Sequence, residues 1–261
     1  MLKLAPYSLG IAAGGLLVRE RRARISAERL GAATLETLLN AIDANDGDTG
    51  AHVRRVATYA LILCDAAGFD YRTCSSVERV ALFHDIGKIH EALSDIFHES
   101  TKLTPAERRA VMTHPQRGAD VLSPLARFYP DLSRGVLSHH ERWDGHGYPK
   151  HLKGKRIPIE ARVVAIADTF DAITHSRRYS QARSVEFAKE VIAEGRGTQF
   201  DPELTDLFLS PPVIDQVEAK FRVAMRPKRK TRRNLKKMGD PIPDLRFRWR
   251  IARGGRPLRG R

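Results

Sequence analysis

Apolar residues along this chain recur at helical spacing, in separate short blocks broken by polar loops. Over residues 27–44, Leu30, Leu35, Leu38, Leu39 and Ile42 lie near one face of a helix that stops in the loop Asn45–Gly50. A second helix is expected from near Thr49, with His52 in its first turn and an apolar face of Val53, Val56, Ala60 and Leu63. A third, from about Ser75 to Phe83, delivers His84 and Asp85, followed by Ile86, Gly87 and Lys88. Thr104-Pro105-Ala106-Glu107 has the form of a capping box with proline at the first helical position, and that helix is expected to end near His114-Pro115. Residues 116–129 form a further short helical region, and Leu132 to Glu141 leads into His139 and His140. Ile159 to Thr174 is strongly apolar yet contains Asp168 and Asp171. Ser184 caps one later helix, and Asp201-Pro202 caps and starts another. No period-two stretch competes, so the fold class is all-α, and there is no internal repeat.

Charge divides the chain. Residues 222–261 hold 16 Lys/Arg and 2 Asp, a net of +14, whereas residues 1–221 hold 29 of each sign. The basic character belongs to the tail, which from 226 is rich in Arg, Lys, Gly and Pro and reads as disordered. The domain reading is therefore an apolar, then Arg-rich, segment over 1–26, a catalytic domain over 27–221, and a tail over 222–261. The apolar run Leu4–Val18 is 15 residues, short of the roughly 20 that span a bilayer. It reads either as a buried helix or as a weak membrane anchor, with the following Arg cluster keeping the rest of the chain in the cytoplasm. Cys64 and Cys74 sit in or beside apolar runs, which fits buried thiols in a reducing cytosol rather than a disulfide. Phe247 and Trp249, interleaved with arginines, make the tail a candidate for anionic membrane or nucleic acid, beside the plainer reading of a solvated charged tail.

The chemistry collects at His52, His84, Asp85, His114, His139, His140 and Asp168. One histidine in an apolar pattern is usually a hydrogen-bonded core residue, but seven such histidines and aspartates, at or near helix ends or inside an apolar helix, are hard to explain that way. Asp85, directly after His84, can bridge two cations with its two oxygens. Mixed imidazole and carboxylate donors suit Fe, Mn, Zn or Ni rather than Mg or Ca. A pair of such ions cleaves phosphoesters by activating water and stabilising phosphoryl charge. The stretch His139–Pro149 (HHERWDGHGYP) adds a glycine-rich turn beside the paired histidines.

HDIGK (His84–Lys88), HHERWDGHGYP and the later ADTFDAIT together resemble the HD-GYP branch of the HD phosphohydrolase superfamily, over about residues 36–210. The resemblance implies an HD-type helical bundle, a centre of two divalent ions, often iron, with manganese the other expectation, and hydrolysis of cyclic di-GMP to pGpG and in some members to GMP. Carried over by motif, one ion takes His52, His84, Asp85 and Asp168; the other shares Asp85 and takes His114, His139 and His140. Some members hold a third ion through an acid four residues before the first histidine, where Asp48 stands. Lys88 resembles the lysine at the scissile phosphate, Arg177 the arginine at the other phosphate, and Gly147 and Tyr148 the lining of the substrate groove. Two departures bear on substrate preference and rate. Residues 90–103 lack the usual G-x-P and K-P-G segments, with Glu99, Ser100 and Thr101 in place of the turn, and Arg177-Arg178-Tyr179-Ser180 replaces R-P-Y-R. A homodimer is a candidate assembly, and no sensor domain is expected within this chain. Two other readings stay open: a signalling module that binds cyclic dinucleotide or a partner protein and cleaves little, and a hydrolase for another nucleotide such as a hybrid cyclic dinucleotide.

Overall fold

Helix-forming blocks separated by caps and prolines produce helices where the apolar spacing lies. The computed structural model describes residues 26, 29–44, 47–89, 104–176 and 181–225. Among these residues there are ten α-helices and no β-strand, apart from an isolated bridge between Arg196 and Phe200. In order they are α1 (29–44), α2 (Gly47–Ala66), α3 (Tyr71–Phe83), α4 (Pro105–Val111), α5 (His114–Leu122), α6 (Pro130–Ser138), α7 (Ile159–Thr174), α8 (Val185–Glu194), α9 (Pro202–Leu209) and α10 (Pro211–Ala224). The all-α expectation holds.

α7 is the axis of the bundle. Its apolar residues run round most of its circumference, and Ala161, Val163, Val164, Ile166, Ala167 and Phe170 are all buried. A helix apolar on most sides belongs inside a protein. Phe170 packs edge-on against Tyr59 of α2 at 5.2 Å and against Phe208 of α9 at 5.8 Å between ring centroids. α2, α3 and α7 pack on one another, α6 closes against α3 and α7, and α8, α9 and α10 cover the remaining sides. α5 packs on α6 and on a one-turn 3₁₀ helix, Ile86–Ile89.

Capping sets several boundaries. Thr104 and Glu107 make the reciprocal capping box, with Pro105 at the helix start. Ser184 accepts from Phe187 N, and Asp201 from Glu203 N and Leu204 N. Three boundaries differ from the expectation. α2 begins at Gly47 rather than Thr49. α3 begins at Tyr71 rather than near Ser75, because the Asp70 carboxylate accepts from Thr73 N at 2.9 Å and caps the helix one turn earlier. The helix opened by Pro105 stops at Val111, and His114-Pro115 opens α5 instead of ending α4. Proline in a first turn loses no intrahelical hydrogen bond. Leu30, expected on the buried face of α1, is 67% exposed; Gly31 sits there instead, in a position where a Cβ would lie 3.4 Å from the Phe128 ring.

Cys64 and Cys74 are free and buried, and burial pushes the Cys64 thiol pKa up. No helix among the described residues is long and apolar enough to cross a membrane. The apolar segment 1–26 apart from residue 26, the altered stretch 90–103, Arg177 to Ser180 and the tail from 226 lie outside the described residues. α10 runs on to Ala224, past the expected boundary at 221.

Candidate metal centre

Five helices converge on one point through their ends and one face of α7. His52 comes from α2, His84 caps the C-terminus of α3 with Asp85 next to it, and His114 opens α5. His139 caps the C-terminus of α6, His140 follows, and Asp168 comes from α7. Gly87 makes the convergence possible. A Cβ there would lie 2.1 Å from the His114 carbonyl oxygen and 2.7 Å from Gly118 N, so the 3₁₀ turn rests directly on the backbone of α5. That contact carries Asp85 to within 3.4 Å of His114.

Two triads result. His52, His84 and Asp168 bring one ligand atom each into a group within 4.8 Å, and so do His114, His139 and His140. Asp85 lies between them. Its Oδ1 is 3.4 Å from His114 Nε2 and 4.0 Å from His139 Nε2, while its Oδ2 is 3.5 Å from His84 Nε2 and 3.9 Å from His52 Nε2. Oδ2 also accepts from Lys88 Nζ at 2.7 Å. Burial alone would raise the Asp85 carboxyl, but Lys88 and the neighbouring imidazoles hold it well below the ordinary carboxylate range. Asp48 sits one turn before His52 in α2, exposed, and belongs to neither triad.

Ring orientation follows from the nitrogens turned away from the centre. His84 Nδ1 donates to Ala81 O at 2.8 Å, His114 Nδ1 to Val111 O at 2.7 Å, and His139 Nδ1 to Val136 O at 2.6 Å. His52 Nδ1 donates to Asp171 Oδ2 at 2.6 Å. A carbonyl can only accept, so the Nδ1 of His84, His114 and His139 carries the hydrogen, and in the neutral ring Nε2 presents a lone pair inward. Burial lowers the pKa of all four of His84, His114, His139 and His140, to about 3 for His114 and about 4 for His140. They are therefore neutral at pH 7. Among the described residues His84 Nε2 is buried with no hydrogen-bond partner, and His114 Nε2 and His139 Nε2 face each other at 3.1 Å. Two lone pairs so placed repel unless a cation lies between them. Two nitrogens each about 2.1 Å from one ion and at right angles around it are about 3.0 Å apart. The donor set fits divalent ions of the kind that take imidazole and carboxylate together.

The glycine-rich turn is tied to the same point. Glu141, buried directly after His140, accepts from Lys150 N at 2.6 Å and Leu152 N at 2.9 Å. Gly147 packs against this strut, in a position where a Cβ would lie 2.3 Å from Arg142 N and 2.5 Å from Glu141 Cα. Tyr148 then stacks on His140, with ring centroids 4.9 Å apart and planes 21° apart. Burial, with the Asp85 and Asp168 charges, pushes its hydroxyl pKa up, so the phenol stays a neutral donor. Among the described residues, then, His52, Asp85, Lys88, Asp168, Tyr148 and the other four histidines gather at one place, while Arg177 lies outside them. Glu141 and Asp171 are not among the candidate residues that the sequence singles out. Asp171 stands three residues after Asp168, on the same helix face, and that spacing was the available signal.

A family model described as an HD domain matches residues 36–204. The 3′3′-cGAMP-specific phosphodiesterase 2 of Vibrio cholerae is 36% identical over 174 residues, 66% of this chain and 33% of that protein. The cyclic di-GMP phosphodiesterase response regulator RpfG of Xanthomonas campestris pv. campestris is 36% identical over 194 residues, 73% of this chain and 51% of that protein. The chain thus spans about half or less of the length of these relatives. Among solved structures, the cyclic GMP-AMP specific phosphodiesterase V-cGAP3 of V. cholerae aligns with a TM-score of 0.54 at 22% identity, covering 75% of this chain and 53% of that one. That likeness is one of fold.

Proposed function

This chain belongs to the HD domain family, and from that premise we propose that it is of the HD-GYP branch, a metal-dependent phosphodiesterase that opens cyclic di-GMP to pGpG, with GMP as a further product. The observation that supports this most is Asp85, whose two oxygens face two separate triads, one of two imidazoles and a carboxylate and the other of three imidazoles. His52, His84, Asp85 and Asp168 would hold one ion; Asp85, His114, His139 and His140 would hold the other. Iron or manganese suits this donor set. When bound, the ions supply Lewis acidity toward the phosphate and toward water.

The chain's own residues do the rest. Asp85 stays ionised because Lys88 neutralises it at 2.7 Å, and the Lys88 side chain is partly open to the rim, where a phosphate would approach. Tyr148, stacked on His140, offers a protonated hydroxyl beside the two acidic ligands. In the reaction a water oxygen bonds to phosphorus and the bond from phosphorus to the 3′ oxygen breaks. The 3′ oxygen takes a proton, leaving a linear dinucleotide with a 5′-phosphate. Arg177 is assigned to the second phosphate, and Asp48 to a third ion, by motif alone. Gly147 and Tyr148 form the groove wall in this reading. The tail adds a separate affinity for anionic surfaces, and a homodimer is the assembly to look for.

A second reading is favoured by one finding, the similarity to a relative named as 3′3′-cGAMP-specific. Both readings share the centre and differ only in the base recognised. Anaerobic metal analysis with product analysis on the two cyclic dinucleotides tests them. Two ions per chain and pGpG from cyclic di-GMP is the expected result. Faster turnover of 3′3′-cGAMP would move the assignment to the second reading. Two bound ions with no turnover of either would leave a binding module.

A further inference from the structure

His52 differs from His84, His114 and His139 in how it is held. His84, His114 and His139 each turn Nδ1 onto a carbonyl three residues earlier, so their own local backbone orients them. His52 instead donates to a side chain from another helix, Asp171 Oδ2, at 2.6 Å. Asp168, one turn earlier on α7, lies 3.3 Å from the opposite nitrogen, Nε2. The imidazole is thus clamped between two carboxylates spaced i,i+3 on one helix, the one facing the metal centre and the other fully buried. We propose that Asp171 is a positioning residue for the metal centre. It fixes the tautomer and ring plane of His52 and thereby sets the affinity of the ion held by His52, His84 and Asp168. This rests on the metal-centre reading above and extends it to a residue that holds no ion.

The surroundings of Asp171 are built for that role. A fully buried carboxylate needs compensation, and Arg55, three residues after His52 on α2, supplies it with Nε at 2.6 Å to Oδ1 and Nη2 at 2.9 Å to Oδ2. His175 Nδ1 lies 3.1 Å from Oδ1, and its ring packs against Phe221 of α10. Both oxygens therefore take two donor contacts each, and the carboxylate cannot rotate without breaking contacts to α2 and to His175 at the end of its own helix. His52 Nδ1 meets an acceptor that is fixed in place and negatively charged. That favours the lone pair on Nε2 and strengthens its donation, as carboxylates behind metal-binding histidines do. The plainer alternative is that Asp171 serves only as the buried partner of Arg55. The two differ in what Asp171→Asn does. An amide has one acceptor oxygen where four donor contacts use two, so one side of the node must face an N–H with an N–H.

The test loads the full-length protein with Mn(II) and titrates it with a chelator, counting ions retained by wild type, Asp171→Asn and His175→Asn. Wild type should hold two ions. Asp171→Asn should hold one ion at wild-type affinity and bind the other about 10- to 100-fold more weakly, with helical content retained. His175→Asn, which leaves the oxygen bonded to His52 untouched, should hold both. Equal weakening of both ions, or none, in Asp171→Asn overturns the inference and returns Asp171 to a structural ion pair. Fewer than two ions in wild type would instead overturn the two-ion reading itself. If Asp171→Asn fails to fold, wild-type protein loaded with Zn(II) decides the matter by imidazole ¹⁵N–¹H spectra. The His52 Nδ1 proton should lie furthest downfield of the ring N–H signals. A position level with those bonded to backbone carbonyls would overturn the proposal.

Discussion

At the scale of single residues, Asp85 and Lys88 do different things although they touch. Asp85 is shared between the triads, so Asp85→Ala should abolish both metal binding and turnover while leaving helical content unchanged; full metal content in that variant would remove Asp85 from the ligand set. Lys88 makes one contact to Asp85 and is partly open, so Lys88→Ala should keep its ions and lose on the order of 10²-fold in kcat/KM. Loss of metal in Lys88→Ala would show that it supports Asp85 rather than meeting phosphate. The buried imidazoles also set a pH dependence for the metal-free protein. Unfolded, His114 and His140 take up protons as pH falls through about 6.5; folded, they resist until about 3 and about 4. Over that window the unfolded chain binds more protons, so stability falls as pH falls, by up to about 1.4 kcal/mol per pH unit for each histidine. Urea midpoints at about pH 7 and pH 5 measure it. A midpoint that does not move would mean these histidines are not held neutral.

Why the seven candidate ligands stand out in the sequence and Asp171 does not is also a matter of single residues. His84-Asp85 and His139-His140 are adjacent pairs at the ends of apolar blocks, and such pairs stand out in one dimension. Asp171 has the same local context as Asp168, an acid inside an apolar helix, and only the crossing of α2 over α7 tells them apart. The direction of each Nδ1 bond is set by helix-end geometry that sequence spacing does not carry.

At the scale of elements, helix existence followed from apolar period and most helix starts from caps, whereas the α3 start and the junction between α4 and α5 did not. Asp70 caps α3 through a residue pair that also reads as loop, and a proline at 115 fits the end of one helix as well as the start of the next. The second alternative has a functional consequence, because it puts His114 at a helix N-terminus with its backbone against Gly87. The turn after His140 is the other element whose geometry matters. Gly147→Ala would drive a Cβ to 2.3 Å from Arg142 N, against backbone that cannot yield without moving Glu141. We expect a destabilisation of about 1–3 kcal/mol and a loss of the Tyr148–His140 stack. Thermal unfolding and turnover of Gly147→Ala check this. Unchanged stability would mean that the turn relaxes freely and that Gly147 acts on substrate instead of on the fold.

At the scale of the whole molecule, the helical domain and the basic tail separate by composition. Residues 1–221 balance 29 positive against 29 negative charges and contain every proposed ligand, while the net charge of +14 lies in 222–261. α10 carries the helical fold to Ala224, so a cut after Met225 spares every described helix. Removal of residues 226–261 should therefore leave kcat and KM on soluble cyclic dinucleotide within about twofold, since residues 1–221 are already balanced in charge and contain every proposed ligand. What should change is adhesion. The full chain should bind anionic vesicles or nucleic acid at low salt and release them as salt rises, because the Debye length falls from about 30 Å at 0.01 M to about 8 Å at 0.15 M. A salt-titrated pull-down of full-length and shortened protein decides it. Equal binding by both would assign the adhesion to the first 26 residues or to the helical surface. Loss of turnover or unfolding on truncation would make the tail part of the catalytic fold and overturn the boundary.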